Sequence, residues 1–372
     1  MTGGTSEQWS ADRWARAALS RLAEPGDKMV HALLADDGPV GALARIRSGH
    51  GDLRRFAERV RRLDVRRDVA IALKVGARLV VPGDLEWPEG LQDLPVPPWC
   101  LWVRGPEQLG PAVERSVAVV GARAATPYGE TQAAELAAAL ATAGWTVVSG
   151  AAYGIDGAAH RGALAVDGRT VAVLASGVDR VYPAAHAALL GRIAQTGCIV
   201  SEVAPGSAPM GSRFLSRNRL IAAMTRGTIV VEAGVRSGSL QTLNRATDLN
   251  RPVGAVPGPV TSMTSAGCHN AIRNKGAVLV TSAAEVVELV GRIGEGVLDE
   301  PRGPVLPADE LDPHDARVHE CLPRCGGLDL DALLSATALT PMVVLAALAR
   351  LEEAGLAVRK DGRWRKISSA RP

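Results

Sequence analysis

One short stretch of the chain combines arginines with a phenylalanine and an asparagine. Arg213, Arg217 and Arg219 can neutralise phosphates, because a planar guanidinium makes paired contacts with phosphate oxygens. Phe214, one of only two phenylalanines, offers a flat face to a base, and Asn218 can bond a base edge or fix a turn. This composition suits single-stranded nucleic acid. The stretch alone equally allows the phenylalanine to fill a core gap and the arginines to pair with surface carboxylates.

Two glycine-containing segments have the composition of anion-binding loops. Gly121 and Arg123 follow an apolar run, where glycine allows a close backbone approach and the arginine supplies a full charge. Further on, the amides around Gly150 and Gly154 can form an anion nest. The dinucleotide fingerprint G-x-G-x-x-G is absent, which counts against a nicotinamide or flavin enzyme.

The polar residues near these loops have either a catalytic or a structural interpretation. Asp156 and His160 could form an acid–base pair, but a helix cap and a packing or hydrogen-bonding histidine are the commoner roles. Ser237 and Gly238 begin a predicted helix beside Glu232, the one carboxylate that follows a strand near the arginines. In a purely structural role, Glu232 would orient one of the arginines in the arginine–phenylalanine stretch described first.

Seven apolar runs alternate with helical segments between residues 115 and 293. The predicted strands are Val117–Val120, Thr146–Ser149, Val171–Leu174, Cys198–Ser201, Thr228–Val231, Val253–Val256 and Ala277–Val280. The predicted helices are 127–143, 155–166, 183–194, 237–249 and 283–293. Continuous apolar strands indicate a parallel sheet that is covered on both faces. The sequence therefore predicts a doubly wound, extended Rossmann-like α/β core with its ligand at the carboxyl ends of the strands.

The regions that flank this core differ from it in composition. We predict a small helical domain, similar to SAM or helix-hairpin-helix domains, over residues 10–78. The Rossmann-like domain then covers residues 79–293 and begins with a segment rich in proline and tryptophan. A linker of glycine, proline and acidic residues over 294–310 leads to a winged helix over 311–372.

Both flanking regions carry clusters of basic residues. A helix face near residue 56 carries Arg54, Arg55, Arg59, Arg61 and Arg62, but nearby carboxylates dilute it, which favours a solvated surface. The predicted wing carries Arg359, Lys360, Arg363, Arg365 and Lys366. Because the third helix of this region has little positive charge, DNA binding and a protein-contact or structural role stay equally open.

Composition narrows the class of protein. The net charge is only +3, and the five cysteines are scattered, so that reduced structural thiols are favoured over a zinc site. No apolar run reaches the roughly 18 residues of a membrane helix, and the first ten residues lack the order of a signal peptide. We therefore expect a cytoplasmic protein that has no metal or other cofactor.

The motifs, taken in order, resemble the DNA-processing protein A (DprA, also called Smf) family over about residues 80–290. The matching segments are Gly121-Ala-Arg123, Ser149-Gly…Gly154-Ile-Asp156…Ala-His160, Val181-Tyr-Pro183, Ser201-Glu202, Phe214…Arg217-Asn-Arg219…Ile221-Ala, Val231-Glu-Ala233…Ser237-Gly-Ser-Leu240 and Ala255-Val-Pro-Gly258. The resemblance implies a non-enzymatic protein that acts as a homodimer during natural transformation. It would bind incoming single-stranded DNA, protect it and load the RecA recombinase.

The resemblance also implies a pocket for single-stranded DNA. By matching motif, it would contain Gly121, Arg123, Phe214, Asn218, Arg219, Ser237 and Gly238, with Lys275 as a weaker candidate. Gly150, Gly154 and Arg217 join this set through the chemistry described above. Three positions depart from the family pattern: Ala122 removes a hydroxyl, Tyr153 exchanges an arginine for a possible base stack, and Leu215 replaces a proline.

Two other functions stay open from the sequence. A nucleotide phosphoribohydrolase on a related scaffold would use Glu232 and an arginine, although residues 256–260 lack the usual Pro-Gly-Gly-x-Gly-Thr phosphate loop. A winged-helix transcription regulator would instead bind duplex DNA through residues 311–372, with the α/β domain as a sensor.

Overall fold

A computed structural model describes residues 9–292, 308 and 310–367 of this chain. The chain divides into two compact units, Met1–Leu298 and Asp299–Pro372. Nearly all of the predicted linker, 294–310, lies outside the described residues. The predicted boundary between residues 78 and 79 stays a prediction, because the helices on one side of it share a hydrophobic cluster with the sheet on the other.

The first unit is built around one mixed sheet. Within the described residues its strands are β1 (Ala77–Val80), β2 (Leu101–Arg104), β3 (Ser116–Val120), β4 (Thr146–Ser149), β5 (Thr170–Leu174), β6 (Cys198–Ser201), β7 (Gly227–Val230), β8 (Val253–Ala255) and β9 (Val278–Leu279). Their order across the sheet is β1-β2-β6-β5-β4-β3-β7-β8-β9. The strands from β3 to β9 pair in parallel, whereas β1 and β2 add an antiparallel hairpin beside β6. All seven predicted strands are confirmed.

Burial along the strands follows from their apolar sequences. Every residue of β3 to β8 is buried, and alternate residues contribute to clusters on opposite faces. The expectation of two covered faces is wrong for β9, where Val278 and Leu279 are about half exposed. That strand is short and lies at the sheet edge, and nothing within the described residues pairs with its outer side.

Helices cover both faces of the sheet, as a doubly wound fold requires. In the first unit they are α1 (Ala11–Leu22), α2 (Lys28–Ser48), α3 (Ala57–Arg61), α4 (Val65–Lys74), α5 (Leu109–Glu114), α6 (Pro127–Thr142), α7 (Ile155–Ala165), α8 (Ala187–Thr196), α9 (Gly211–Met224), α10 (Ser239–Asp248), α11 (Ala266–Asn274) and α12 (Ala283–Val290). Helices α9, α10 and α11 pack on one face, and α6, α7 and α12 pack on the other. The five helices predicted for the core are confirmed, whereas α5, α9 and α11 were not predicted.

Helices α1 to α4 pack at the β1–β2 end of the sheet. Leu19 belongs to the same buried cluster as Trp102 of β2 and Ile199 of β6. The Trp102 indole N–H also donates to the Ser20 hydroxyl at 3.2 Å. Four of the five arginines near residue 56 pair with carboxylates, and Arg55 bonds Asp27 at 2.6 and 2.8 Å.

In its described residues the second unit has three helices followed by a hairpin, the predicted winged-helix order. Its elements are α13 (Pro313–Cys321), α14 (Leu330–Thr337), α15 (Pro341–Glu353), β10 (Ala357–Lys360) and β11 (Arg363–Lys366). The hairpin turns at Asp361 and Gly362, which both have positive φ. Trp364 of β11 is buried in the core of this unit beside Leu333 and Leu348, so that its ring supports the hairpin from within.

Among the residues that the structure describes, no single helix is long and apolar enough to cross a bilayer; α14 and α15 reach that length and apolar character only as a pair, which is bent by 107°. The same residues contain no group of three or more histidine, cysteine or acidic side chains that could hold a metal ion.

Candidate nucleic-acid interface

A pocket of about 370 Å³ lies at the carboxyl ends of β3 and β7. The chain runs from β3 towards one side of the sheet and returns to the other side through β7, so this is the topological switch point. Seven of the eleven predicted site residues line the pocket: Gly121, Arg123, Phe214, Arg217, Asn218, Ser237 and Gly238. The other four, Gly150, Gly154, Arg219 and Lys275, do not line it.

The most exposed charged group in the pocket belongs to Arg123. Its guanidinium carbon lies 4.7 Å from the centroid of the Phe214 ring, which is cation–π contact. The Arg123 side chain is exposed and makes no ion pair within the described residues. A free positive charge therefore lies directly beside a flat, partly exposed aromatic face.

Two glycines allow the loops around this pair to approach one another. A Cβ at Gly121 would lie 2.4 Å from the Ile155 side chain, and the next amide donates to the Glu232 carbonyl at 2.6 Å. Gly154 has φ +70°, and a Cβ there would lie 2.3 Å from the Ala122 carbonyl oxygen. These glycines therefore shape the pocket through backbone packing.

The predicted anion nest around Gly150 is filled by a carboxylate of the chain itself. Asp156 accepts from the Gly150 amide at 3.1 Å and the Ala152 amide at 3.4 Å. Asp156 lies in the first turn of α7, whose N-cap is Gly154, so its predicted role as a helix cap is wrong. Burial raises the pKa of Asp156, while the attraction of Arg217 opposes that rise. With these amides occupied, the anion-binding capacity of the pocket lies elsewhere.

Arg217 is a buried cation at the pocket. It is 6% exposed, donates to the Val173 carbonyl at 2.5 Å and packs against Gly150, where a Cβ would collide with its guanidinium. Burial lowers its pKa to about 10, so that it stays charged at neutral pH. Its next neighbour, Asn218, donates to the Gly238 carbonyl at 3.3 Å. Asn218 thus fixes a turn, the second of its two predicted roles.

The N-terminus of α10 lies at the pocket, which Ser237, Gly238 and Ser239 line. The helix begins at Ser239 with Gly238 as its N-cap, and the preceding turn engages its first three amides. Ser239 donates to the Ser237 hydroxyl at 3.4 Å, Leu240 to the Ser237 carbonyl at 3.2 Å and Gln241 to the Gly238 carbonyl at 3.1 Å. The Ser237 and Ser239 hydroxyls lie 2.8 Å apart beside these amides. The dipole of this ten-residue helix favours an anion near its N-terminus.

Arg219 and Lys275 have other surroundings. One Arg219 nitrogen contacts both Glu202 carboxylate oxygens, at 2.6 and 2.8 Å, and this ion pair is almost fully buried. The Lys275 ammonium donates to the Asn244 side chain at 2.9 Å in a separate, more open depression beside α10. Neither cation faces the pocket.

Glu232 is fully occupied by the loops that surround it. Its carboxylate accepts from the Thr126 amide at 2.8 Å, the Thr126 hydroxyl at 2.9 Å and the Thr264 hydroxyl at 2.6 Å. These donors replace the arginine partner that was predicted from sequence. A carboxylate bound in this way ties the start of α6 to the segment before α11, and Glu232 does not line the pocket.

One aromatic neighbour of the pocket was missed by sequence reasoning. The Tyr182 ring lies 5.5 Å from that of Phe214, although the two residues are far apart in sequence. The rarity of tyrosine could have indicated this residue, since the chain has only three tyrosines. Arg213, which was predicted to neutralise phosphate, instead bonds Glu24 at 2.7 and 3.0 Å.

Comparison with known proteins places this chain in a family. Over residues 78–291 the chain matches the family described as DNA recombination-mediator protein A. The DNA processing protein DprA of Mycobacterium tuberculosis H37Rv is 48% identical over 363 residues, which covers 94% of this chain and 93% of that protein. Protein Smf of Synechocystis is 32% identical over 315 residues, which covers 77% and 79%.

Solved structures agree with this assignment. DNA processing protein A of Streptococcus pneumoniae superposes with a TM-score of 0.65 at 33% identity, covering 76% of this chain and 99% of that one. The Helicobacter pylori protein, solved to show its single-stranded DNA binding mode, gives a TM-score of 0.51 at 27% identity, covering 57% and 94%. The chain thus belongs to the DNA recombination-mediator protein A family, the DprA/Smf group of DNA processing proteins.

Proposed function

We propose that this protein binds single-stranded DNA in the pocket at the switch point. The observation that carries the proposal is the exposed Arg123 guanidinium, 4.7 Å from the Phe214 ring. A base stacks on Phe214 while the adjacent phosphate meets Arg123, the pairing that sequence-independent single-strand binding uses. The related Helicobacter pylori protein, studied for its single-stranded DNA binding mode, supports the same substrate class.

The remaining groups of the pocket suit the phosphate backbone. The positive end of the α10 dipole and the buried charge of Arg217 both favour an anion in the pocket. Apolar atoms of Ile221 and Leu215 also line it, next to Phe214. Phosphate-binding and base-binding surfaces therefore adjoin, which suits a strand whose bases are unpaired and accessible.

In the cell, the bound strand would be protected and passed to the RecA recombinase by a homodimer of this protein. The description of the matched family as a recombination mediator supports this role. The role requires no bond to be broken, and the full occupation of Glu232 by threonine donors favours a binding function over hydrolysis. The test is assembly of RecA filaments on single strands that are already coated by a single-strand-binding protein. Acceleration by this protein, and none by its Phe214→Ala variant, is expected.

Replacing Phe214 by alanine should weaken binding of a labelled oligothymidine by roughly 5- to 150-fold, the equivalent of one lost base stack. Fluorescence anisotropy measures the dissociation constant. Phe214→Tyr is the control, because it keeps the ring and should bind within a few-fold of the parent. Equal binding by the alanine variant would remove Phe214 from the interface.

Replacing Arg123 by alanine should reduce the salt dependence of binding as well as the affinity. Each phosphate neutralised on a single strand contributes about 0.7 to the slope of log affinity against log salt, so the slope should fall by about that amount. Arg123→Lys keeps the charge and should keep the slope. A slope that is the same in the parent and the alanine variant would show that this arginine meets no phosphate.

A further inference from the structure

All three tyrosines of the chain are exposed, and two of them lie beside the pocket. Tyr128, Tyr153 and Tyr182 are 40%, 48% and 43% exposed. Tyr182 contacts Phe214 with ring centroids 5.5 Å apart and an interplanar angle of 49°. Tyr153 lies edge-on to His186, with centroids 5.2 Å apart. The ring systems therefore extend beyond the pocket on the side of the segment between β5 and α8.

Two ring pairs, Phe214 with Tyr182 and His186 with Tyr153, make up what we call the aromatic row. The connection between its two halves is local, because His186 follows Tyr182 by four residues in the same segment. The His186 ring is itself fixed by a hydrogen bond to the Ala151 carbonyl at 3.0 Å. Tyr153 follows two residues after that carbonyl, next to pocket-lining Ala152.

Two arginines flank the aromatic row. Arg180 lies two residues before Tyr182, is 59% exposed and is 3.6 Å from its carboxylate partner. Arg161 is 50% exposed and 3.8 Å from its partner, and it adjoins His186 above Gly157. Long, exposed ion pairs of this kind contribute little to stability. Both guanidinium groups can therefore exchange a carboxylate for a phosphate with little loss of free energy.

We propose that the aromatic row is a second binding segment for single-stranded DNA, which continues the strand out of the pocket. It rests on the proposed function of that pocket. Bases stack on the exposed faces of Tyr182 and then Tyr153, while phosphates pass Arg180 and Arg161. The combination favours nucleic acid over a protein partner, because exposed rings occur together with exposed, weakly paired arginines. The proposal assigns a binding role to Tyr182 that is separate from its packing against Phe214.

The test compares oligothymidines that lengthen one nucleotide at a time, with binding to the full chain measured by anisotropy. The shortest bound lengths fill the pocket alone, and longer ones reach the row. In Tyr182→Leu we expect unchanged affinity for the shortest lengths and a roughly 5- to 150-fold loss for longer ones. Tyr153→Leu should likewise lose affinity only for the longer lengths, because Tyr153 does not line the pocket.

Two controls and three outcomes make the result decisive. Tyr182→Phe keeps the ring and should bind all lengths like the parent, and so should Tyr128→Leu, which alters a similarly exposed tyrosine outside the row. Equal affinity of Tyr182→Leu and parent at every length would overturn the proposal and leave the pocket intact. A loss that already appears at the shortest length would also overturn it, since Tyr182 would then only support Phe214. If the parent binds no single strand, the proposed function itself fails.

Discussion

Replacing Glu202 by alanine should lower the free energy of unfolding by about 3–5 kcal/mol, the usual cost of breaking a buried ion pair. The Glu202 side chain is 3% exposed and that of Arg219 is 12% exposed. The other two guanidinium nitrogens of Arg219 have no hydrogen-bond partner among the described residues. Without Glu202, the arginine would keep its charge inside the protein with nothing to compensate it. Urea denaturation followed by circular dichroism measures the change.

The matched control is Glu58→Ala. Glu58 also contacts two arginines, Arg61 and Arg62, but its side chain is 54% exposed. Solvent screens such pairs, so we expect a loss below about 1 kcal/mol. A double variant, Glu202→Ala with Arg219→Met, should recover part of the stability because the uncompensated charge is gone. A Glu202→Ala loss no greater than that of Glu58→Ala would show that burial does not strengthen this pair.

Stability should fall as the pH drops from 7 to 5, and His160 should account for about 2 kcal/mol of that fall. Burial, together with the positive fields of His186, Arg217 and Arg161, lowers the pKa of His160 to about 3. The folded state therefore binds fewer protons than the unfolded state between about pH 3 and 6.5. The stabilisation is complete above pH 6.5 and is lost progressively as the pH falls below it.

Hydrogen bonding explains why His160 resists protonation. The Thr170 hydroxyl donates to the Val147 carbonyl at 2.7 Å, so it accepts from Nδ1 of His160, also at 2.7 Å. Nε2 is then the unprotonated nitrogen, and it is buried without a partner. Protonation would create a charged donor with no acceptor.

The variant His160→Asn keeps a donor near Thr170 and does not titrate. Urea denaturation of both proteins at pH 7 and pH 5 isolates the contribution of this residue, since all other titrating groups are shared. The parent should lose about 2 kcal/mol more than the variant between the two pH values. Equal losses would mean that His160 takes up its proton within the folded protein.

The sheet was predictable from sequence because its strands are buried on both faces. Continuous apolar runs such as Val117–Val120 leave little room for another assignment. Helix α9 was not recognised because its buried side includes Arg217 and Asn218, which interrupts the apolar stripe that marks an amphipathic helix. The polar residues that face inwards where the helix lines the pocket therefore interrupt the hydrophobic periodicity by which a helix is predicted.

The position of the pocket was predictable from sequence, but the separate roles of the arginines on α9 were not. On an α-helix, residues advance by about 100° each, so Arg217 and Arg219 point in opposite directions. Phe214, Arg217 and Ile221 share the face that lines the pocket, whereas Arg219 turns towards Glu202. Nothing in the sequence separates the two arginines until the helix and its carboxylate partners are known.

The strand order has a consequence for synthesis of the protein. Val117 of β3 pairs with Gly227 of β7, so about 110 residues must leave the ribosome before the central strand gains its second neighbour. At roughly 5–20 residues per second this interval lasts about 5–20 s. During it, one edge of β3 exposes unpaired backbone groups that can associate with other chains. The pocket at the switch point, which needs both strands, forms only after this pairing is made, so the stage with an unpaired central edge precedes the pocket.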